Sequence, residues 1–541
     1  MVRYLSTLIL VVATSVDGSA QGSPTMFQGN AQHTGVVSPE PTLSVKGFAF
    51  AFKTGGPVRG TPAVQSGILC FGSGDGNVYA LTASDGKERW RFQTGGDVQS
   101  SPAIDGEIVY AASRDGYLYA LDLQKGTQKW RFRFGPDLDY IPGFDYYLSS
   151  PVVSQGVLYI GGGDGCVYAL DAKSGRSAWK TPLGSRIRTS PALTASLVLV
   201  GTMDGRVIAL SRDNGAVVWK FATAGADLKF EDYGFDRTAV VSSPSTDDEI
   251  VVVGGRDGFV YALNADEGEL VWKFDYKISW AISTFGHMGG AVFGGTSDGK
   301  IFNALDKKTG QELWKYATAG PVWASPCFSA NTLYCADYGG NVFALDIQTG
   351  QELWRLNLGD RIHGSPVVYD GNIYIGCDDG YLYALASSTK TGSSRPLKKV
   401  VFWEEPRGFS WFRNGVDVAL RDYFKRNGYE HVATDRLSEV LQTQVRGDSQ
   451  VVAIFAENRV PQELEGDGST SGPFLRFLEA GGKAVWIGAC PLAYRRDSTG
   501  KLTALDFSFG AKLVGVRYPG ENLDRLGFYG SRPTAEGIRW D

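Results

Sequence analysis

Asp75-Gly-Asn-Val-Tyr-Ala-Leu81, followed by Gly86 and Trp90, returns as Asp115-Gly-Tyr-Leu-Tyr-Ala-Leu121, Asp164-Gly-Cys-Val-Tyr-Ala-Leu170 and Asp257-Gly-Phe-Val-Tyr-Ala-Leu263. Eight copies begin at Asp75, Asp115, Asp164, Asp204, Asp257, Asp298, Gly339 and Asp379, at offsets of 40, 49, 40, 53, 41, 41 and 40 residues. A fixed period near 40 means one supersecondary unit repeated, each unit unable to bury its apolar face alone. Within one unit, Thr61-Pro62-Ala63-Val64 opens a strand, Gly67 turns, Ile68 to Gly72 form a second strand and Asn77 to Leu81 a third. Asp75-Gly76 is a hairpin signal, because these residues accept the backbone angles a tight turn needs. Arg89 to Gln93 supply a fourth strand. Four short antiparallel strands without helical periodicity make a propeller blade.

Trp90, Trp130, Trp179, Trp219, Trp272, Trp314 and Trp354 hold one register position and are read as rings that dock neighbouring blades. The eighth repeat has no tryptophan. Counting back from Pro62 by the 12 residues that separate Trp90 from Pro102 lands on Phe50. The segment Lys46 to Lys53 is therefore expected to complete the last blade, closing eight blades into a ring without open edges.

Ala304-Leu-Asp-Lys-Lys-Thr-Gly-Gln-Glu-Leu-Trp314 and its counterpart ending at Trp354 resemble the tryptophan-docking motif of the PQQ-repeat propeller family. The lead-in Phe27-Gln-Gly-Asn-Ala-Gln-His-Thr-Gly35 resembles the segment that precedes such propellers. The resemblance spans residues 46–386. It implies either a non-enzymatic scaffold, like the propeller lipoprotein of the outer-membrane barrel assembly machinery, or a dehydrogenase holding pyrroloquinoline quinone (PQQ) and calcium on the axis. The vicinal cysteine pair of the dehydrogenases is absent: Cys70, Cys166, Cys327, Cys335, Cys377 and Cys490 are all isolated. Asp122, Asp171, Asp306 and Asp346 sit where side chains cap turns. The four histidines, His33, His287, His363 and His431, show no metal-ligand spacing. The reading favours a non-catalytic binding scaffold without cofactor or metal, with a periplasmic PQQ-dependent dehydrogenase as the alternative.

The spacing from tryptophan to proline stretches from 12 residues to 21 between Trp130 and Pro151, and to 25 between Trp219 and Pro244. Both insertions join a fourth strand to the next first strand, so both should crown the end of the ring that bears the Asp-Gly turns. Asp139, Tyr140, Phe144 and Tyr146 in the first, and Phe230, Asp232, Tyr233 and Phe235 in the second, are read as contacts for a protein or small-ligand partner. The other reading is that these rings cover one another and the channel mouth.

With 541 residues, more than one domain is expected. The formal charge of -5 without a basic block argues against nucleic acid. Arg3, the apolar run Leu5 to Val16 and Gly18-Ser19-Ala20 read as a signal peptide over residues 1–20, hence a periplasmic or secreted protein. The run is too short for a membrane span, and a monomer is expected. Cys327 and Cys335 flank a hairpin and are read as small apolar strand residues, with a cross-hairpin disulfide as the alternative.

Beyond a linker at residues 387–397, residues 398–541 alternate strand and helix patterns, the mark of a small α/β (flavodoxin-like) domain. Phe474 to Gly488 resembles part of class I glutamine-amidotransferase-like domains. Cys490, followed by Pro491, lacks the elbow such a nucleophile needs. No closing element precedes Asp541, so the domain is expected to be incomplete.

Overall fold

The computed structural model describes residues 24–38, 43, 45, 47–139, 148–277 and 279–386, and beyond them chiefly short strands. The chain separates into two compact units, residues 1–390 and 391–541.

The first unit is an eight-bladed β-propeller. Every blade is a four-stranded antiparallel meander; the first comprises Ala63–Gln65, Ile68–Gly72, Asn77–Thr82 and Glu88–Gln93. The eighth takes Val367–Tyr369, Asn372–Gly376 and Tyr381–Ala386 from the C-terminal end of the ring, and its outer strand, Gly47–Lys53, from the N-terminal end. Phe50 pairs with Ala384 beside a bulge, just as Trp354 pairs with Ala344. Lys53 Nζ donates to the Asp379 carbonyl, and Thr54 N–H donates to the Gly380 carbonyl at 2.8 Å. The closure inferred from the period is thus present.

Trp90, Trp130, Trp179, Trp219, Trp272, Trp314 and Phe50 each lie against a glycine of the following blade. Trp219 covers Gly268, whose φ is +72°, and a Cβ there would come within 2.5 Å of the indole. Phe50 covers Gly86 in the same way, so it occupies the tryptophan position of the eighth blade. The indole N–H groups donate across the blade gap, as from Trp90 to the Leu123 carbonyl at 2.9 Å. For Trp354 the acceptor is the carbonyl of Leu43, just before the closing strand. The turn aspartates cap as expected: Asp122 Oδ1 accepts the N–H groups of Gln124 and Lys125, both at 3.0 Å.

Two sequence readings change. Cys327 stands opposite Tyr334, while Cys335 pairs with Phe343, so the hairpin register does not set the two cysteines against one another. Both are buried free thiols, as are Cys70, Cys166 and Cys377, which corrects the disulfide alternative. The lead-in is also more than a leader. Residues 24–36 run around the axis and offer carbonyls to the innermost strands: Pro24 to Val64, Thr25 to Ile104, Ala31 to Leu193, Gln32 to Thr246, Thr34 to His287 and Gly35 to Phe328. Val36–Ser38 then adds in parallel to Cys327–Ser329, giving the seventh blade a fifth strand.

In the second unit Glu430–His431, Leu397–Phe402, Gln450–Phe455 and Lys483–Trp486 form a parallel sheet in that spatial order. Arg436 and Val440 are helical; the other residues read as helices from the sequence, and Cys490, lie outside the described residues.

Candidate functional site

In each repeat a hydroxyl residue precedes the first inner strand: Thr61, Ser101, Ser150, Ser190, Ser243, Thr284, Ser325 and Ser365. All eight are buried and together ring the axis. The backbone N–H of each donates to the hydroxyl of the next blade, at 2.9 Å for Thr61 to Ser101, 3.0 Å for Ser150 to Ser190 and 3.2 Å for Ser365 back to Thr61. Seven of the eight steps carry this bond. The step from Ser243 to Thr284 lacks it, and there Phe285 replaces the usual proline.

Two positions earlier in each blade stands a second layer, closer to the mouth. It consists of Arg59, Gln99, Leu148, Arg188, Val241, Ile282, Trp323 and His363, in blade order. The two layers, with Phe27 of the lead-in, enclose an open axial cup of about 600 Å³ counting solvent in its mouth. Leu148, Val241 and Ile282 make one arc of the wall mostly apolar, with Arg188 standing between the first two. Trp323, His363, Arg59 and Gln99 make the opposite arc polar and aromatic.

The polar arc is wired. Asp378 takes a bidentate pair from Arg59, at 2.8 and 2.9 Å, and its Oδ2 lies 3.3 Å from His363 Nε2. His363 Nδ1 is 2.9 Å from Tyr338 Oη, and Tyr338 stacks on Trp323 with ring centres 5.5 Å apart. Burial pushes the Asp378 carboxyl up, but the bonds and charges of His363 and Arg59 outweigh it and hold it near 2. Burial, against the pull of Asp378, lowers the His363 imidazole.

Both insertions plant an aspartate on a buried arginine, and that of the first, Arg188, lines the cup. Asp137 of the first accepts from Arg188 Nη2 at 2.6 Å, and Leu138 N–H donates to the Gly163 carbonyl at 2.9 Å. Asp236 of the second pairs at 2.6 Å with Arg256, whose guanidinium also lies 4.7 Å over the Trp280 ring. The second insertion forms a short helix, Phe230–Tyr233, closed by Gly234 at φ +72°. Tyr233 and Phe235 remain 41% and 40% exposed. Phe235 rests against Trp280 at 6.2 Å, and Arg237 covers Tyr233 at 5.0 Å. Phe230 is half-buried, while Asp232 and Asp139 are exposed. Tyr140, Phe144 and Tyr146 lie outside the described residues. Both insertions sit on the Asp-Gly face: Gly135 N–H donates to Asp164 at 3.2 Å and Gly225 N–H to Asp257 at 2.9 Å.

The quinone-and-calcium pair of the dehydrogenases can be compared with this wall. None of the described residues lining the cup is a carboxylate, and among the described residues no group of three or more His, Cys, Asp or Glu is arranged to hold a metal. The wall does not fit a calcium ion. His287, read from the sequence only as one of four histidines without metal-ligand spacing, is buried with Nε2 3.0 Å from Ser245 Oγ. Sequence reading missed the hydroxyl ring and the layer above it, although a Ser or Thr stands directly before each register proline.

The family described as outer membrane protein assembly factor BamB matches residues 38–141, and the MJECL34 family matches residues 397–517. BamB of Shewanella oneidensis is 28% identical over 118 residues, 19% of this chain and 30% of that protein, so the match spans under a third of that relative. BamB of Moraxella catarrhalis superposes with a TM-score of 0.53 at 20% identity, over 64% of this chain and all of that one. A europium-containing methanol dehydrogenase superposes at 0.56 and 16% identity, over 66% of this chain and 89% of that one. These likenesses show the fold. No helix among the described residues is long and apolar enough to cross a membrane. The family described as the beta-propeller of beta-alanine-activating enzyme matches residues 147–420, just over half of the sequence, and the chain belongs to that family.

Proposed function

We propose that the chain is an exported, non-catalytic binding propeller whose crowned face engages a protein partner. The observation that carries this reading is the exposed pair Tyr233 and Phe235, held in place by contacts with Arg237 and Trp280. Large rings fixed before binding give contact area with little further loss of conformational freedom. The periplasm is the proposed compartment. The C-terminal unit is proposed to be an α/β domain of the flavodoxin-like type, in keeping with its parallel strands.

The test uses the full chain with a photo-crosslinking side chain at position 229, incubated in a cell-envelope extract. A single crosslinked protein of defined mass is expected, and it should disappear in the Tyr233→Ser/Phe235→Ser double variant while the thermal midpoint stays put. An unchanged crosslink in that variant rejects the reading. The alternative, a PQQ-dependent dehydrogenase, predicts dye reduction with alcohols once quinone and calcium are added. Such activity would displace the scaffold reading.

A further inference from the structure

We propose that the axial cup is a binding site for a small organic oxyanion, with its charged head in the hydroxyl ring and its apolar body against Leu148, Val241 and Ile282. Seven of the ring hydroxyls accept a backbone N–H from the preceding blade, which takes one of their two acceptor lone pairs and leaves the O–H to donate. Among the described residues, none of the eight donates its own proton to a protein acceptor. The ring therefore presents eight buried O–H donors to the same small space. A species that only accepts hydrogen bonds, a carboxylate or a phosphate ester, satisfies such a ring, whereas a cation or a donor-rich neutral molecule does not.

Three further features agree. Arg59 and Arg188 stand at the rim, three blades apart, and their carboxylate partners, Asp378 and Asp137, are not among the described lining residues. Residues 24–36 occupy the axis beyond the ring, so the cup has a floor and a ligand enters from the crowned end. The wall above the ring offers apolar side chains, Leu148, Val241 and Ile282, on either side of Arg188, which suits a ligand with one charged end and an apolar body. This inference does not depend on the partner proposed for the crown.

The experiment is calorimetric titration of the full chain with formate, butyrate, phosphate and the neutral control butyramide, with the fluorescence of Trp323 in the cup wall as a second readout. Butyrate is expected to bind with a dissociation constant of about 1 mM or tighter, several-fold better than formate, with butyramide silent. Arg188→Met should weaken butyrate about tenfold, in line with loss of one charge-assisted contact. That variant is expected to fold, since the Asp137 it leaves behind is half-exposed to water. Ser325→Ala/Ser365→Ala should weaken it further. If that pair fails to fold, the Arg188 variant alone decides. Saturable heat with phosphate but not butyrate would overturn the organic body. Absence of heat and of fluorescence change with every anion, or an affinity indifferent to Arg188→Met, would overturn the site.

Discussion

His33 and His287 titrate differently in the fold than in a loose chain. Both rings are fully buried, and loss of water lowers each to about 4. An unfolded chain takes up protons at these rings below about pH 6.5, and the folded one does not until about pH 4. Stability should therefore fall as pH drops through that window, by about 1.4 kcal/mol per pH unit for each ring, and stop falling near pH 4. Urea midpoints at pH 7 and 4.5, for the natural chain and for His287→Gln, check this; the variant should show the shallower dependence. A flat profile would mean that the rings titrate as they do in water. The sequence showed only that these histidines are scattered. Their burial follows from a lead-in that packs along the axis and from the contact with Ser245 in the neighbouring blade, neither of which a local pattern contains.

At the scale of elements, the second insertion is more structured than a loop needs to be. The second turns as a short helix and returns Asp236 to the buried Arg256, whose side chain is 1% exposed. Removing one member of such a pair leaves an uncompensated charge out of water. Asp236→Asn is expected to lower stability by about 3 kcal/mol, whereas Arg256→Met combined with Asp236→Asn should recover much of that. Chemical denaturation of the three variants measures the difference; equal stability of Asp236→Asn and the natural protein would show the pair to be solvated. The position of both insertions was legible from the stretched tryptophan-to-proline spacing. Their tie to arginines in other blades was not, because Asp137 and Arg188 are 51 residues apart and only the curvature of the ring brings them together.

Across the whole molecule, stability hangs on the join between the first and last strands of the propeller. Phe50 takes a tryptophan's place over Gly86, and its ring is only half-buried. Phe50→Ala should cost about 2–4 kcal/mol through the gap it opens at the join. Phe50→Trp should be tolerated or stabilising by about 1 kcal/mol, if the indole reaches a carbonyl across the gap as its counterparts do. Urea unfolding midpoints give both numbers, and an unaffected Phe50→Ala variant would mean that the closing strand contributes little.

Blade number, ring closure and the face that carries the insertions were fixed by the sequence alone, because a repeat of period 40 with one docking ring per unit records its geometry locally. The composition of the cup was decided only by the tertiary structure. The period says that one residue per blade will face the axis at each level, but it places no constraint on which residue that is. Arg59 and His363, at opposite ends of the propeller sequence, become neighbours on Asp378 only when the ring closes.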